Sequence, residues 1–163
     1  MQGIMVGPDF SLGRGREGNI NLLRTLGREM KFSVEVIPPY TTNGEIVSST
    51  LIRQVLAQSD MRKVKRLMGR YFHLRGKVIT SDKRGRVLGF RTANLDIMPP
   101  QALPVNGIYA TITLVVGKQF LSATNIGTRP TFGEGKKMVE THLLNFKGNL
   151  YGKEIRVEFV QKL

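Results

Sequence analysis

The chain has 163 residues, 25 Lys and Arg against 12 Asp and Glu, a net charge of +13 and no cysteine. The missing thiols exclude disulfides, thiolate zinc sites and cysteine nucleophiles, and His73 and His142 alone cannot build a histidine-rich metal centre. No apolar run approaches the ~20 residues of a membrane span, and the first ten residues lack a secretory pattern, so a cytoplasmic protein without a membrane partner is expected.

The charge is spread along the chain: 11 basic against 6 acidic residues in 1–70, and 14 against 6 in 71–163. Such a balance favours polyanionic partners, nucleotide or nucleic acid. Aromatic residues make up 7% and do not interleave with the basic ones as a single-strand stacking platform requires.

Residues 1–68 have an α/β texture. Ile4-Met5-Val6 reads as a buried strand. Leu22, Leu23 and Leu26 recur at helical spacing in Asn21 to Met30. Phe32 to Ile37 alternates as a strand and stops at Pro38-Pro39. Ser48-Ser49-Thr50 caps a helix carrying Leu51, Ile52, Val55 and Leu56. A second helix follows Ser59-Asp60 and ends at Gly69. From there the texture is all-β, with strand-like runs at 74–80, 107–116, 119–125, 138–144 and 155–160. Gly117-Lys118 and Lys147-Gly148-Asn149 read as hairpin turns. Five or six short antiparallel strands favour a small barrel, because closure removes exposed edges. The expected organisation is an α/β domain over 1–68 and a β-barrel domain over 69–163.

Three groups of residues could carry chemistry. Thr92 and Asn94 follow a glycine-punctuated basic turn, Asp82 to Gly89; their oxygens suit Mg²⁺, and Gly85 and Gly89 let backbone N–H groups approach phosphate. The plainer reading is a tight turn entering a strand. Ser48, Ser49, Thr50 and Arg53 at a helix start make a phosphate cradle, or simply a capped helix beside a surface arginine. Glu140 lies in a β-run whose alternation puts Met138, Glu140 and His142 on one face. It would be a general base if that face were enclosed, and a solvated charge if it were open. Gly13-Arg14-Gly15-Arg16-Glu17-Gly18 fits G-x-G-x-x-G, but its distance from the first strand and its arginines argue against a dinucleotide turn.

Taken in order, several segments resemble the kinase domain of the bacterial bifunctional riboflavin kinase/FMN adenylyltransferases, the FAD synthetases. They are Gly76-Lys77-Val78, Asp82 to Phe90, Thr92-Ala93-Asn94-Leu95, Asn106 to Ala110, Asn125 to Phe132, Val139 to Leu143 and Leu150-Tyr151-Gly152. Val6 to Gly18 and Val47 to Arg53 are similar to the later half of the adenylyltransferase domain. The resemblance implies a six-stranded antiparallel barrel of Greek-key, split-barrel type, behind a partial nucleotidyltransferase-like α/β domain. It implies riboflavin kinase activity: the 5′-hydroxyl of riboflavin takes the γ-phosphate of ATP, giving FMN and ADP. Glu140 would be the base; Thr92 and Asn94 would hold Mg²⁺; Gly85, Gly89, Phe90, Thr92, Asn94 and Asn125 would contact nucleotide or phosphate. Asp9, Arg14, Arg16, Ser48, Ser49, Thr50 and Arg53 would form a remnant adenylyltransferase site. It is expected to be inactive, because the chain looks truncated at its start. Arg91 stands where the family usually has proline, and Leu12 where it has phenylalanine. Small-molecule substrates are the expected partners and nucleic acid is not; the incomplete α/β domain could drive self-association. The competing readings are a basic barrel that binds nucleic acid and a fragment that binds flavin and nucleotide without turnover.

Overall fold

The computed structural model describes residues 2–80, 92–97, 101–128 and 137–163. The chain packs as two compact units, residues 1–47 and 48–163.

The first unit pairs two parallel strands, β1 (Gly3–Val6) and β4 (Ser33–Val36), with Ile4 opposite Val34 and Val6 opposite Val36. Helix α1 (Ile20–Met30) runs between them and buries Leu23 and Gly27. Asn19 caps it, its side chain accepting from the backbone N–H groups of Asn21 and Leu22 at 3.0 and 3.2 Å. Ribbons of two residues per strand flank this core: β2 (Ser11–Leu12) with β3 (Gly18–Asn19), and β5 (Thr41–Thr42) with β6 (Glu45–Ile46).

The second unit opens with α2 (Ser49–Ala57), capped by Ser48, and α3 (Met61–Met68), capped by Asp60 and ended by left-handed Gly69. The sequence texture changes at Gly69, but α3 packs on β7 and β12 and α2 packs on α3, and the compact unit begins at Ser48. Six strands follow: β7 (Phe72–Ile79), β8 (Thr92–Asp96), β9 (Gly107–Val115), β10 (Lys118–Thr128), β11 (Lys137–Leu143) and β12 (Glu154–Lys162). They close in the order β10-β11-β8-β7-β12-β9, with every pairing antiparallel. The meander β9-β10-β11 with β12 returning beside β9 is a Greek key.

Period-two alternation sorts the strands into an interior and an outer face. Leu74, Val78, Leu95, Ile126, Val139, Val157 and Phe159 fill the interior. One sector is polar: Thr111, Thr113, Ser122, Thr124 and Thr141 are all buried. Their hydroxyls join in a chain from Thr113 through Ser122, Thr111 and Thr124 to Thr141, each link 2.8 Å, so each of these five has a partner. Tyr109, fully buried, donates to the Val105 carbonyl at 2.7 Å and accepts from Ser59 at 2.8 Å, which fixes the α2–α3 turn to the barrel. Burial holds its phenol above the usual range, and the Ser59 bond opposes the shift.

Two turn assignments are corrected. The β9–β10 hairpin turns on Val116-Gly117, one residue earlier than expected. Lys147-Gly148-Asn149 is no hairpin: β11 pairs with β10 and β8, and β12 with β7 and β9, so this segment connects strands that are not neighbours. Residues 92–96, absent from the strand-like runs expected from sequence, form a full barrel strand between β11 and β7.

Candidate functional site

Barrel register brings the polar candidates together. Asn94 on β8 lies opposite Glu140 on β11, and Glu140 lies opposite Asn125 on β10. The row extends at both ends to an isoleucine: Ile79 on β7 opposite Asn94, and Ile108 on β9 opposite Asn125. Directly opposed residues share a face, with Cβ atoms about 4.5–5.5 Å apart. One row along the strands, Thr92, His142, Ala123 and Ala110 are likewise opposed in turn. Thr92 and Asn94 are two residues apart on one strand, so their oxygens emerge on the same side.

This face is the outside of the barrel, since the alternating Ala93, Leu95, Val139, Thr141, Thr124 and Ile126 point inward. The alternation expected for Met138, Glu140 and His142 is present, and these three are half-buried while their neighbours Val139, Thr141 and Leu143 are buried. Glu140 therefore matches neither simple alternative, an enclosed interior carboxylate or an open surface charge: it is half-covered on the outer wall. Asn94 goes further, at 8% exposure. Among the described residues its Oδ1 has no hydrogen-bond partner. A buried carbonyl oxygen left unpaired costs about 1–3 kcal/mol and calls for a ligand. With the exposed Thr92 hydroxyl on the same face, the donor set is hard oxygen, which fits a Mg²⁺ ion. Among the described residues no cluster of His, Asp and Glu could hold a metal by itself.

Of the remaining candidates, Gly85, Gly89 and Phe90, along with Arg91 and residues 129–132, lie outside the described residues. Asp9 and Arg16 line an open cleft of about 560 Å³ in the first unit, beside Ser11, Asn19 and Arg24. Arg16, at φ 61°, turns back to donate from Nε to the Ser11 hydroxyl at 2.7 Å and from Nη2 to the Asp9 carbonyl at 3.3 Å. Arg14 starts the short 3₁₀ turn Arg14–Arg16 and is not among the lining residues of that cleft. Ser48, Ser49, Thr50 and Arg53 belong to the second unit. There Ser48 Oγ accepts from the Leu51 N–H at 3.1 Å, so it acts as a helix cap, and Arg53 reaches Thr50 Oγ1 at 3.5 Å. The flanking Ile79 and Ile108, 44% and 54% exposed, carried no sequence signal as site residues; only register reveals them.

The second unit is thus a closed Greek-key barrel that carries Thr92, Asn94 and Glu140 together on its outer wall. Comparison with known proteins identifies the family. The profile described as Riboflavin kinase matches residues 68–163, and the one described as FAD synthetase matches residues 1–51. The chain belongs to the riboflavin kinase family. The bifunctional riboflavin kinase/FMN adenylyltransferase of Escherichia coli K12 is 38% identical over 161 residues, 98% of this chain and 51% of the relative. That of Pseudomonas fluorescens is 38% identical over 164 residues, 100% of this chain and 52% of the relative. The chain thus spans about half the length of the curated relatives it matches. A solved structure described as a macrolide-efflux protein from Streptococcus pneumoniae aligns with a TM-score of 0.78 at 24% identity, over 96% of this chain and 50% of its own; that likeness speaks for the fold alone. No helix among the described residues is long and apolar enough to cross a membrane.

Proposed function

We propose that the barrel unit, residues 69–163, is a riboflavin kinase that works in the cytoplasm, where ATP is held. The observation that carries this reading is the row Asn94-Glu140-Asn125, with a buried unpaired oxygen beside a half-buried carboxylate. Phosphoryl transfer needs a positioned hydroxyl, a proton acceptor and charge neutralisation on phosphate. Glu140 supplies the acceptor. The 5′-oxygen of riboflavin bonds to the γ-phosphorus of ATP, its proton passes to Glu140, and the bond from the γ-phosphorus to the bridging oxygen breaks to release ADP. Thr92 and Asn94 would hold Mg²⁺, which would supply charge neutralisation on the phosphates. Asn125, exposed on the far side of Glu140, offers an amide to the substrate's hydroxyls.

The test is FMN formation from riboflavin, ATP and Mg²⁺, followed by chromatography with fluorescence detection. Glu140→Gln is expected to lower kcat by roughly 100-fold while leaving nucleotide affinity unchanged, as for a lost general base. Undiminished turnover in that variant would remove Glu140 from the mechanism. Absence of FMN from the unaltered chain would remove the kinase reading itself.

A further inference from the structure

The outer face of β7 and β12 carries a second charged array. Lys77 on β7 lies between Glu154 on β12 and Asp96 on β8, so each neighbour brings the opposite charge. Two residues back along β7 the pattern reverses, and Arg75 lies directly opposite Arg156. Like charges in that position repel and destabilise the strand pair. Beyond Arg156 the row continues to Leu114 on β9, and the described pairing of β7 with β8 begins only at Lys77. Among the described residues, then, no carboxylate stands opposite either arginine. The next row sets His73 opposite Glu158, and Arg156 spends its Nη2 on that carboxylate. Arg70 donates from Nη1 to His73 Nδ1 at 2.9 Å and to the Tyr71 carbonyl at 3.4 Å. Three guanidiniums thus share one carboxylate, and the patch keeps a surplus of positive charge.

The hydrogen bonds point the same way. A guanidinium only donates, so each of these arginines needs acceptors. Among the described residues Arg75 reaches none, and the buried Nε of Arg156 has no partner. Burial lowers the pKa of His73, and Arg70, Arg156 and Arg75 lower it further against Glu158, so all three guanidiniums act on one ring. That ring accepts at Nδ1, carries its proton on Nε2 and so adds a further donor to the face. We propose that Arg70, Arg75 and Arg156, with His73, form an oxyanion site for a phosphate group, carried by inorganic phosphate or by a small phosphorylated molecule. Guanidinium forks match phosphate oxygens, and a dianion between Arg75 and Arg156 replaces their repulsion with two attractions. Glu158 holds Arg156 from the next row. Along β7, Arg75 is roughly 14 Å from Ile79, the residue opposite Asn94. The site is separate from the row Asn94-Glu140-Asn125, and the inference does not depend on the kinase reading.

The experiment is isothermal titration calorimetry of the full chain at fixed ionic strength, in phosphate-free buffer without Mg²⁺, with inorganic phosphate and separately with pyrophosphate. Saturable binding is expected. Arg75→Gln, at an exposed position, is expected to weaken it at least tenfold, and Arg70→Gln several-fold. Asn94→Leu, which alters only the Glu140 row, is expected to leave it unchanged. Pyrophosphate bound more tightly than phosphate, with both weakened in Arg75→Gln, would support a phosphorylated molecule as the occupant; equal affinities weakened in the same way would support free phosphate. Thermal unfolding in phosphate-free buffer adds a readout of opposite sign, since Arg75→Gln relieves the repulsion and is expected to raise Tm. A fall in Tm would remove the repulsion from which the site is argued. Affinity unchanged in both arginine variants, affinity lost in Asn94→Leu, or no binding to the unaltered chain would each overturn the site.

Discussion

Asn94 carries a conflict between stability and function. The residue is only 8% exposed, yet among the described residues its Oδ1 accepts no hydrogen bond. Leucine branches at the same carbon, is somewhat larger, and has no polar atom to satisfy. Asn94→Leu is therefore expected to raise Tm by several degrees, corresponding to about 1–3 kcal/mol of relieved desolvation, while abolishing FMN formation. Thermal unfolding by circular dichroism in the absence of nucleotide tests this, and a lower Tm would show that the oxygen is satisfied in the apo protein. His73 offers a second test. It lies opposite Glu158 on β12, and its Nδ1 is 2.9 Å from Arg70 Nη1, a bond that requires the neutral ring to accept. Burial pushes its pKa below the usual value, Arg70, Arg156 and Arg75 push it the same way, and Glu158, itself paired with Arg156, opposes them weakly. The unfolded chain therefore binds a proton near pH 6.5 that the folded chain refuses until lower pH. Stability from this group is complete above pH 6.5 and is lost as pH falls from there through the folded pKa. His73→Gln is expected to flatten the fall in Tm between pH 7 and pH 5; an unchanged slope would assign it to other groups.

The strands β9 and β10 were legible because their alternation is regular over nine and eleven residues, with β-branched residues on the buried face. Their hairpin shows what patterning misses. Val116 and Gly117 both have positive φ, 45° and 76°, so the turn is a two-residue type in which both central residues are left-handed. A β-branched residue in that conformation pays about 1–2 kcal/mol of steric strain, and Val116 is 83% exposed with no packing to offset it. Val116→Asn, which creates Asn-Gly, is expected to raise the urea midpoint by an amount equivalent to about 1 kcal/mol with an unchanged m value. A lower midpoint would mean that the valine side chain packs despite its exposure. Strand β8 is inconspicuous in the sequence because five residues with Thr, Asn and Asp give a weak strand signal; its two neighbours on the barrel complete it. Likewise turn chemistry at Lys147-Gly148-Asn149 marks a reversal but not which strands it joins. The separate candidates Asn94, Glu140 and Asn125 were each visible by residue type and resemblance. Their alignment, and the isoleucines that bracket them, depend on inter-strand register, which one sequence does not display.

The two compact units differ in how much they bury. Among the described residues the core of 48–163 includes Leu74, Tyr109, Ile126, Val157 and Phe159, each at 1% exposure or less. In 1–47 the buried hydrophobic side chains are Val6 and Leu23, while Met5, Met30 and Tyr40 are each more than two-thirds exposed. A two-stranded parallel sheet with one helix is marginal by itself, since parallel strands ordinarily need cover on both faces. A closed barrel, in contrast, has every strand paired on both sides and no edge from which to fray. The first unit is thus expected to open at a free energy well below that of the barrel, in a separate cooperative step. Its exposed apolar residues would then favour concentration-dependent self-association through 1–47. Hydrogen exchange followed by mass spectrometry tests both steps. Amides of α1, β1 and β4 are expected to exchange at least 100-fold faster than those of β9, β10 and β12, and to gain protection as protein concentration rises. Equal protection across the two units would show a single cooperative fold, and protection independent of concentration would remove 1–47 as an association surface.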